Sequence, residues 1–253
     1  MEDKAKLGKT DEKGVALPAG FERVKQDMRR KRLLVRISGL EKMGKTHWAL
    51  TAPSPIAFFD IDRSAEDIVW KFLSEKDIYH KEYRGSREGD EEAYKAAWTA
   101  FKRDYYAALD APGIRTIIVD TETELWEMAR LAEFGKLSKV LSREYGPVNK
   151  EFREVIDAAQ SSEKNLVMIS RLKKQYRDDK WNGRYESRGF GETGFLVHVN
   201  VETTQNEDGV FVSRIVNCRH DPSANGETFE GDMSTFQFVA LRVFTGSAYT
   251  DWA

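Results

Sequence analysis

Cysteine is all but missing from this chain. Cys218 is the only one in 253 residues, so no internal disulfide can form and a cysteine-based zinc site is excluded, which fits a reducing compartment. Histidine is sparse as well: His47, His80, His198 and His220 are too scattered to form a ligand set, and His47 reads as packing rather than catalysis. No run approaches 18 apolar residues, and Met1-Glu2-Asp3-Lys4 lacks the apolar core of a signal peptide. A soluble, cytoplasmic protein with no membrane contact is therefore expected. A global charge excess is missing too. The 40 Lys and Arg against 42 Asp and Glu leave a formal charge of −2, so any nucleic-acid contact must come from a local basic surface. No internal repeat is visible.

What is present is a specific glycine loop. Gly39-Leu40-Glu41-Lys42-Met43-Gly44-Lys45-Thr46 matches G-x-x-x-x-G-K-[ST]. It follows the apolar run Leu33-Leu34-Val35-Arg36-Ile37-Ser38 and precedes His47-Trp48-Ala49-Leu50, giving the strand–loop–helix setting that a polyphosphate cradle needs. Glycines let the loop curl so that consecutive backbone N–H groups face one anion, and the start of the helix adds positive potential. The expected nucleotide-contacting residues are Gly39, Lys42, Met43, Gly44, Lys45, Thr46 and His47. Lys45 would reach the β- and γ-phosphates and Thr46 would offer its hydroxyl to Mg²⁺.

The remaining pattern alternates apolar strands with helices. Residues 1–21 read as a flexible charged tail and 22–32 as a basic stretch, either a solvated lead-in or an arm that touches phosphates. Strands are expected at 56–62, 116–120 and 165–170, and helices at 64–80, 90–109, 122–139 and 147–161. Within 90–109, Ala97, Phe101, Tyr105 and Leu109 make an apolar stripe. Asn182-Gly183 carries a hairpin signal, and 195–204 with 210–216 read as an antiparallel pair added to the sheet. The expected architecture is a single α/β domain over 22–253, a mostly parallel sheet covered by helices with a C-terminal antiparallel extension.

Cleaving a β–γ phosphate bond also needs an acid beside Mg²⁺ and a group that orients water. Asp120, ending Thr116-Ile117-Ile118-Val119, is the natural metal-side acid of Walker-B type, with capping of the next helix as its ordinary structural role. Thr121 follows it rather than Glu. Asp62, with Asp60 as the alternative, lies at the tip of the second strand, where parallel sheets place ligands. Asp62 before Arg63-Ser64-Ala65-Glu66 serves equally well as a helix cap. Ser170 and Arg171, at the tip of the fourth strand, stand where a γ-phosphate sensor could sit.

The order of these four motifs resembles the RecA core. More closely, Gly44-Lys45-Thr46-His47-Trp48-Ala49-Leu50-Thr51-Ala52-Pro53-Ser54-Pro55 resembles phage-encoded RecA-core ATP-binding proteins, some of which are single-strand annealing or recombination ATPases. The resemblance covers about residues 33–171. It implies a RecA-like P-loop fold and ATP and Mg²⁺ held by Lys45, Thr46 and Asp120. It also implies Asp62 at the position of the catalytic glutamate, Ser170-Arg171 at the sensor pair, and assembly into a homo-oligomeric ring or filament. The chain departs from that family in the shorter Asp62, in Ser170-Arg171 instead of Asn-Gln, and in having no recognisable pair of lysines for a neighbour's site.

In RecA-like proteins the loop after the sensor strand touches DNA. Residues 171–188 carry seven basic residues against three acids, interleaved with Tyr176, Trp181 and Tyr185. Cations track a phosphate backbone while aromatic faces stack on unpaired bases. The expected contacts to single-stranded DNA are Lys173, Lys174, Tyr176, Arg177, Trp181, Arg184, Tyr185 and Arg188. A single-strand DNA-binding protein is a further expected partner. A solvated hairpin with ordinary aromatic pairing remains the bland alternative. Two other functions compete with a DNA-linked ATPase: a small-molecule P-loop kinase using 171–188 as a lid, and a nucleotide-gated scaffold that hardly hydrolyses ATP.

Overall fold

The computed structural model describes residues 7–10, 16–18, 21, 31–83, 91–136 and 140–252. The chain divides into two compact units, Met1–Lys31 and Arg32–Ala253. In the first, β1 (Leu7–Thr10) pairs antiparallel with β2 (Ala16–Pro18). The stretch read as a flexible tail thus holds a short ladder. Most of the basic stretch 22–32 lies outside the described residues.

The second unit is built on a nine-stranded sheet. Its strands are β3 (Leu34–Gly39), β4 (Ile56–Asp60), β5 (Ile78–Glu82), β6 (Thr116–Asp120), β7 (Asn165–Arg177), β8 (Lys180–Arg188), β9 (Val199–Gln205), β10 (Phe211–Cys218) and β11 (Thr228–Glu230). They run in the order β11-β10-β9-β3-β7-β6-β4-β5, with β8 paired to β7. From β9 to β5 every pairing is parallel, whereas β8, β10 and β11 join antiparallel. The expected α/β class holds, with one change of detail: β9 is a parallel neighbour of β3, so the antiparallel extension begins at β10.

Both faces of the sheet are covered, as near-continuous apolar strands require. Val35, Ile37, Ile56 and Phe58 point to one side. There they pack on α1 (Lys45–Leu50), α2 (Glu66–Val69) and α6 (Phe236–Val243) through Trp48, Leu50, Val69 and Phe236. Leu34, Phe59, Ile117 and Val119 point to the other. They meet α3 (Glu91–Asp110), α4 (Glu122–Phe134) and α5 (Gly146–Ser161). The stripe on α3 is buried at Phe101, Tyr105 and Leu109, and the Tyr105 hydroxyl donates to the carbonyl of Val155 at 2.9 Å.

Two elements differ from expectation. Residues 64–80 are not one helix: α2 ends at Val69, a single 3₁₀ turn follows, and the chain enters edge strand β5 at Ile78. Pairing with β4 overrides the local helical pattern. The hairpin turn is not at Asn182-Gly183. Asp178 and Asp179, with φ of 49° and 58°, make the two-residue turn between β7 and β8. Both central positions of such a turn need positive φ, which Asp tolerates better than most residues. Asn182-Gly183 instead forms a register irregularity within β8, with Gly183 at φ 81° and the Asn182 amide donating to Gln175 at 2.6 Å.

Candidate nucleotide site

The parallel registers bring the strand tips together. Gly39 pairs with Arg171, and Asp120 with Asp60, so the glycine loop, Asp120 and the start of the β7–β8 hairpin share one edge. Between them opens a cleft of about 1150 Å³, lined by Gly39–His47, Asp62, Ser64, Asp120, Thr121, Arg171, Lys173, Arg188 and others. Parallel sheets commonly place ligands at this edge.

The loop owes its path to specific backbone positions. Gly39 lies so close to β9 that a Cβ there would sit 2.6 Å from the Thr203 carbonyl oxygen. Lys42 and Gly44 take φ of 61° and 75°, turning the chain back before α1 begins at Lys45. The Lys45 ammonium donates to the Leu40 carbonyl at 2.6 Å. Burial lowers its pKa, while the charge of Asp120 acts in the opposite direction.

Thr46 donates its hydroxyl to Asp120 Oδ2 at 2.7 Å. Asp120 is 1 % exposed, and burial pushes its carboxyl up to about 7, with the Thr46 bond pulling the other way. A hydroxyl and a carboxylate are hard oxygen ligands of the kind Mg²⁺ takes together with phosphate and water oxygens. Among the described residues no group of three or more His, Cys, Asp or Glu side chains is placed to hold a metal ion. Any cation here would therefore rely on Thr46, Asp120 and the nucleotide itself.

The two acids at the end of β4, Asp60 and Asp62, part company. Asp60 is buried, accepts from the Arg63 backbone N–H at 2.7 Å and lies 3.2 Å from His80 Nε2, so it closes the turn away from the cleft. Asp62 lines the cleft. Its Oδ1 accepts from the Ser64 N–H and hydroxyl at 3.1 and 2.6 Å, and its Oδ2 accepts from Arg171 at 3.0 Å. Arg171 also donates to Glu124 Oε1 at 2.5 Å. Asp62 thus faces the cleft and braces the turn at Ser64, two residues before α2, rather than capping that helix.

Ser170 does not reach the cleft, which corrects its expected place at the catalytic site. It is fully buried and donates to Glu122 Oε2 at 2.5 Å. The alternation of β7 explains this: if Ser170 turns inward, Arg171 must turn toward the ligand edge. Glu122 also accepts from Thr193 Oγ1 at 2.8 Å and from the Phe190 N–H at 3.0 Å. Burial raises its pKa, and these bonds oppose the shift. Thr123 accepts from the Arg171 N–H at 3.0 Å and donates to the Arg188 carbonyl at 2.7 Å. Residues 120–124 therefore touch the loop threonine at one end and both stems of the hairpin at the other. The run Asp120-Thr121-Glu122-Thr123-Glu124 was the signal for this clamp, but which partners it would meet depends on pairings distant in sequence.

With this geometry in place, comparison with known proteins is decisive on one point. The protein family described as "AAA domain" matches residues 31–198. The chain belongs to this AAA-domain family. The chain is thus a P-loop nucleotide-binding domain. No curated protein matches the chain. Among solved structures, one titled "Crystal structure of the RadB recombinase" is similar at 12 % identity and a TM-score of 0.48, covering 78 % of this chain and 86 % of that one.

The hairpin of this AAA domain sorts its side chains by face. The register sets Lys174 opposite Tyr185 and Tyr176 opposite Trp181, so these four share one side. Tyr176, Trp181 and Tyr185 are 60 %, 48 % and 41 % exposed. Lys174 Nζ lies 5.0 Å from the Trp181 ring centre, and Trp181 meets Tyr185 edge-on at 6.0 Å. Lys173 is on the other side, ion-paired with Glu186 at 3.1 Å. Arg177 pairs in register with Lys180 next to the turn, Arg184 is exposed on β8, and Arg188 lines the cleft. Among the described residues no helix is long and apolar enough to cross a membrane.

Proposed function

We propose that this chain is a RecA-like, Mg²⁺-dependent ATPase that binds single-stranded DNA through the β7–β8 hairpin, in phage recombination or replication. The observation that carries the reading is Arg171. It begins the hairpin, lines the phosphate cleft and holds Asp62 at 3.0 Å, so one side chain belongs to both the hydrolytic and the polymer-binding parts. Lys45 binds the β- and γ-phosphates, Thr46 and Asp120 hold Mg²⁺, and Asp62 orients the attacking water. Lys174, Tyr176, Trp181 and Tyr185 form the stacking face, while Lys173, Arg177, Arg184 and Arg188 supply positive charge along the strand path. Assembly into a homo-oligomeric ring or filament and cooperation with a single-strand DNA-binding protein belong to the same proposal. Phage origin is supported by the resemblance of residues 44–55.

The test is ATP turnover with and without single-stranded DNA. Stimulated turnover is expected. Failure to bind ATP, or to bind DNA at low salt, refutes the proposal.

A second reading, a nucleotide-gated scaffold with little hydrolysis, draws on the full engagement of both Asp62 oxygens by Ser64 and Arg171. Near-background turnover that is unchanged in Asp62→Asn favours the scaffold, while loss of measurable turnover in that variant favours the ATPase.

A further inference from the structure

Two carboxylates grip Arg171 where one would balance its charge. One guanidinium nitrogen donates to Asp62 Oδ2 at 3.0 Å and another to Glu124 Oε1 at 2.5 Å. Asp62 has a part in the proposed hydrolysis; Glu124 has none. We propose that Glu124 is a positioning residue that competes with the terminal phosphate of the bound nucleotide for Arg171. The proposal rests on the triphosphate reading above and deepens it.

Placement is the first argument. The backbone of Arg171 is fixed: it pairs with Gly39 on one side and with Arg188 on the other, and its N–H donates to Thr123 at 3.0 Å. Only the side chain is left to move, and it stands on a boundary. Asp62 and Arg171 line both the phosphate cleft and a neighbouring cavity of about 300 Å³, whereas Glu124 lines the neighbouring one. Glu124 belongs to the first turn of α4, so its carboxylate draws the guanidinium toward that helix and out of the cleft.

Charge is the second. A guanidinium stays protonated at any working pH. Burial and, after it, the Arg171 charge lower the Lys45 pKa, so Arg171 lies within electrostatic reach of whatever the glycine loop holds. The side chains of Arg171 and Glu124 are 41 % and 35 % exposed, and ion pairs so open to water are weak. Phosphate oxygens take an Arg fork through paired, charge-assisted bonds. A terminal phosphate therefore replaces Glu124 as partner, but the Glu124 contact has to break first. That requirement lowers the affinity gained from the third phosphate.

The third argument is what the exchange does to Asp62. Ser64 engages Asp62 Oδ1, and Arg171 engages Oδ2. Once the guanidinium turns to a phosphate, Oδ2 is released for the water that Asp62 is proposed to orient. Glu124 thus keeps Asp62 occupied until a third phosphate arrives.

The experiment measures binding of MgADP and of the Mg²⁺ complex of AMP-PNP, a non-hydrolysable triphosphate analogue, by calorimetry. The proteins are the parent, Glu124→Gln, Arg171→Met and the double variant, and the quantity read is the ratio of triphosphate to diphosphate affinity. Glu124→Gln is expected to raise that ratio about threefold or more. Arg171→Met is expected to lower it, and the double variant to match Arg171→Met, because Glu124 acts only through that side chain. A rise that persists in the Arg171→Met background is a long-range effect of removing one negative charge, and it overturns the proposal. A ratio unchanged by Glu124→Gln, or by Arg171→Met, overturns it as well. A parent that binds neither nucleotide refutes the triphosphate reading itself, and the proposal with it.

Discussion

Replacing Asp120 by Asn should stabilise the nucleotide-free protein at neutral and higher pH, although it removes the acid assigned to Mg²⁺. Burial moves the Asp120 carboxyl from an ordinary value of 3.8 to about 7 in the folded protein. Between those values the folded state keeps a proton that the unfolded state has lost, so stability falls as pH rises and levels off above about 7. At about 1.4 kcal/mol per pH unit, the whole effect is about 4 kcal/mol, of which roughly 3 kcal/mol falls between pH 5 and pH 7. Asp120 is 1 % exposed, so solvent screening does little to reduce this. The substituted amide still presents an oxygen to the Thr46 hydroxyl, which isolates the effect of charge. Urea denaturation in EDTA at pH 5 and pH 8 measures it. The advantage of Asp120→Asn over the parent should grow by about 3 kcal/mol between the two, or about 6–12 °C in melting temperature for a chain of this size. Added Mg-nucleotide should then stabilise the parent more than the variant, which keeps the loop, Lys45 and Thr46 but lacks the metal-side carboxylate. An advantage that is the same at pH 5 and pH 8 would show that the carboxyl titrates normally, and the reasoning from burial would fail.

Three other outcomes follow from particular contacts. Gly39→Ala forces a Cβ to within 2.6 Å of the Thr203 carbonyl oxygen; a loss of about 1–3 kcal/mol in stability is expected, read by urea denaturation. His198 is held neutral by burial, with its pKa lowered to about 3, and its Nδ1 accepts from the Leu34 N–H at 3.2 Å. Because its folded value lies below the unfolded one near 6.5, the parent should lose stability as pH falls below 6.5, and His198→Gln should show a shallower decline in melts at pH 6.5 and 4.5. Trp181→Ala should weaken single-stranded DNA binding by about 1–3 kcal/mol without altering nucleotide affinity; equal losses for both ligands would show damage to the fold instead.

Much of the architecture could be read locally. The parallel strands appear as short apolar runs because both faces of the sheet are covered, and the amphipathic stripe on α3 appears because only one face is. The errors arose where a distant partner decides the outcome. Residues 78–82 join the sheet because β4 offers an unpaired edge. Asn182-Gly183 has good turn chemistry, but β7 continues past the sheet to Arg177 and places the turn at Asp178-Asp179.

The same division runs through the site. By itself the sequence determined the phosphate loop, the strand-ending Asp120 and the basic, aromatic composition of 171–188, since each depends on residue type and spacing along one stretch of chain. Only the tertiary structure turned Asp60 away from the cleft toward His80 and Arg63, turned Ser170 into the core against Glu122, and set Arg171 across the gap to Asp62. It alone also placed Glu124 against Arg171. The physical reason is that a carboxylate, hydroxyl or guanidinium takes its role from its hydration and its partners, and here Ser170, Arg171 and Thr46 find theirs in Glu122, Glu124, Asp62 and Asp120, 47 to 109 residues away along the chain.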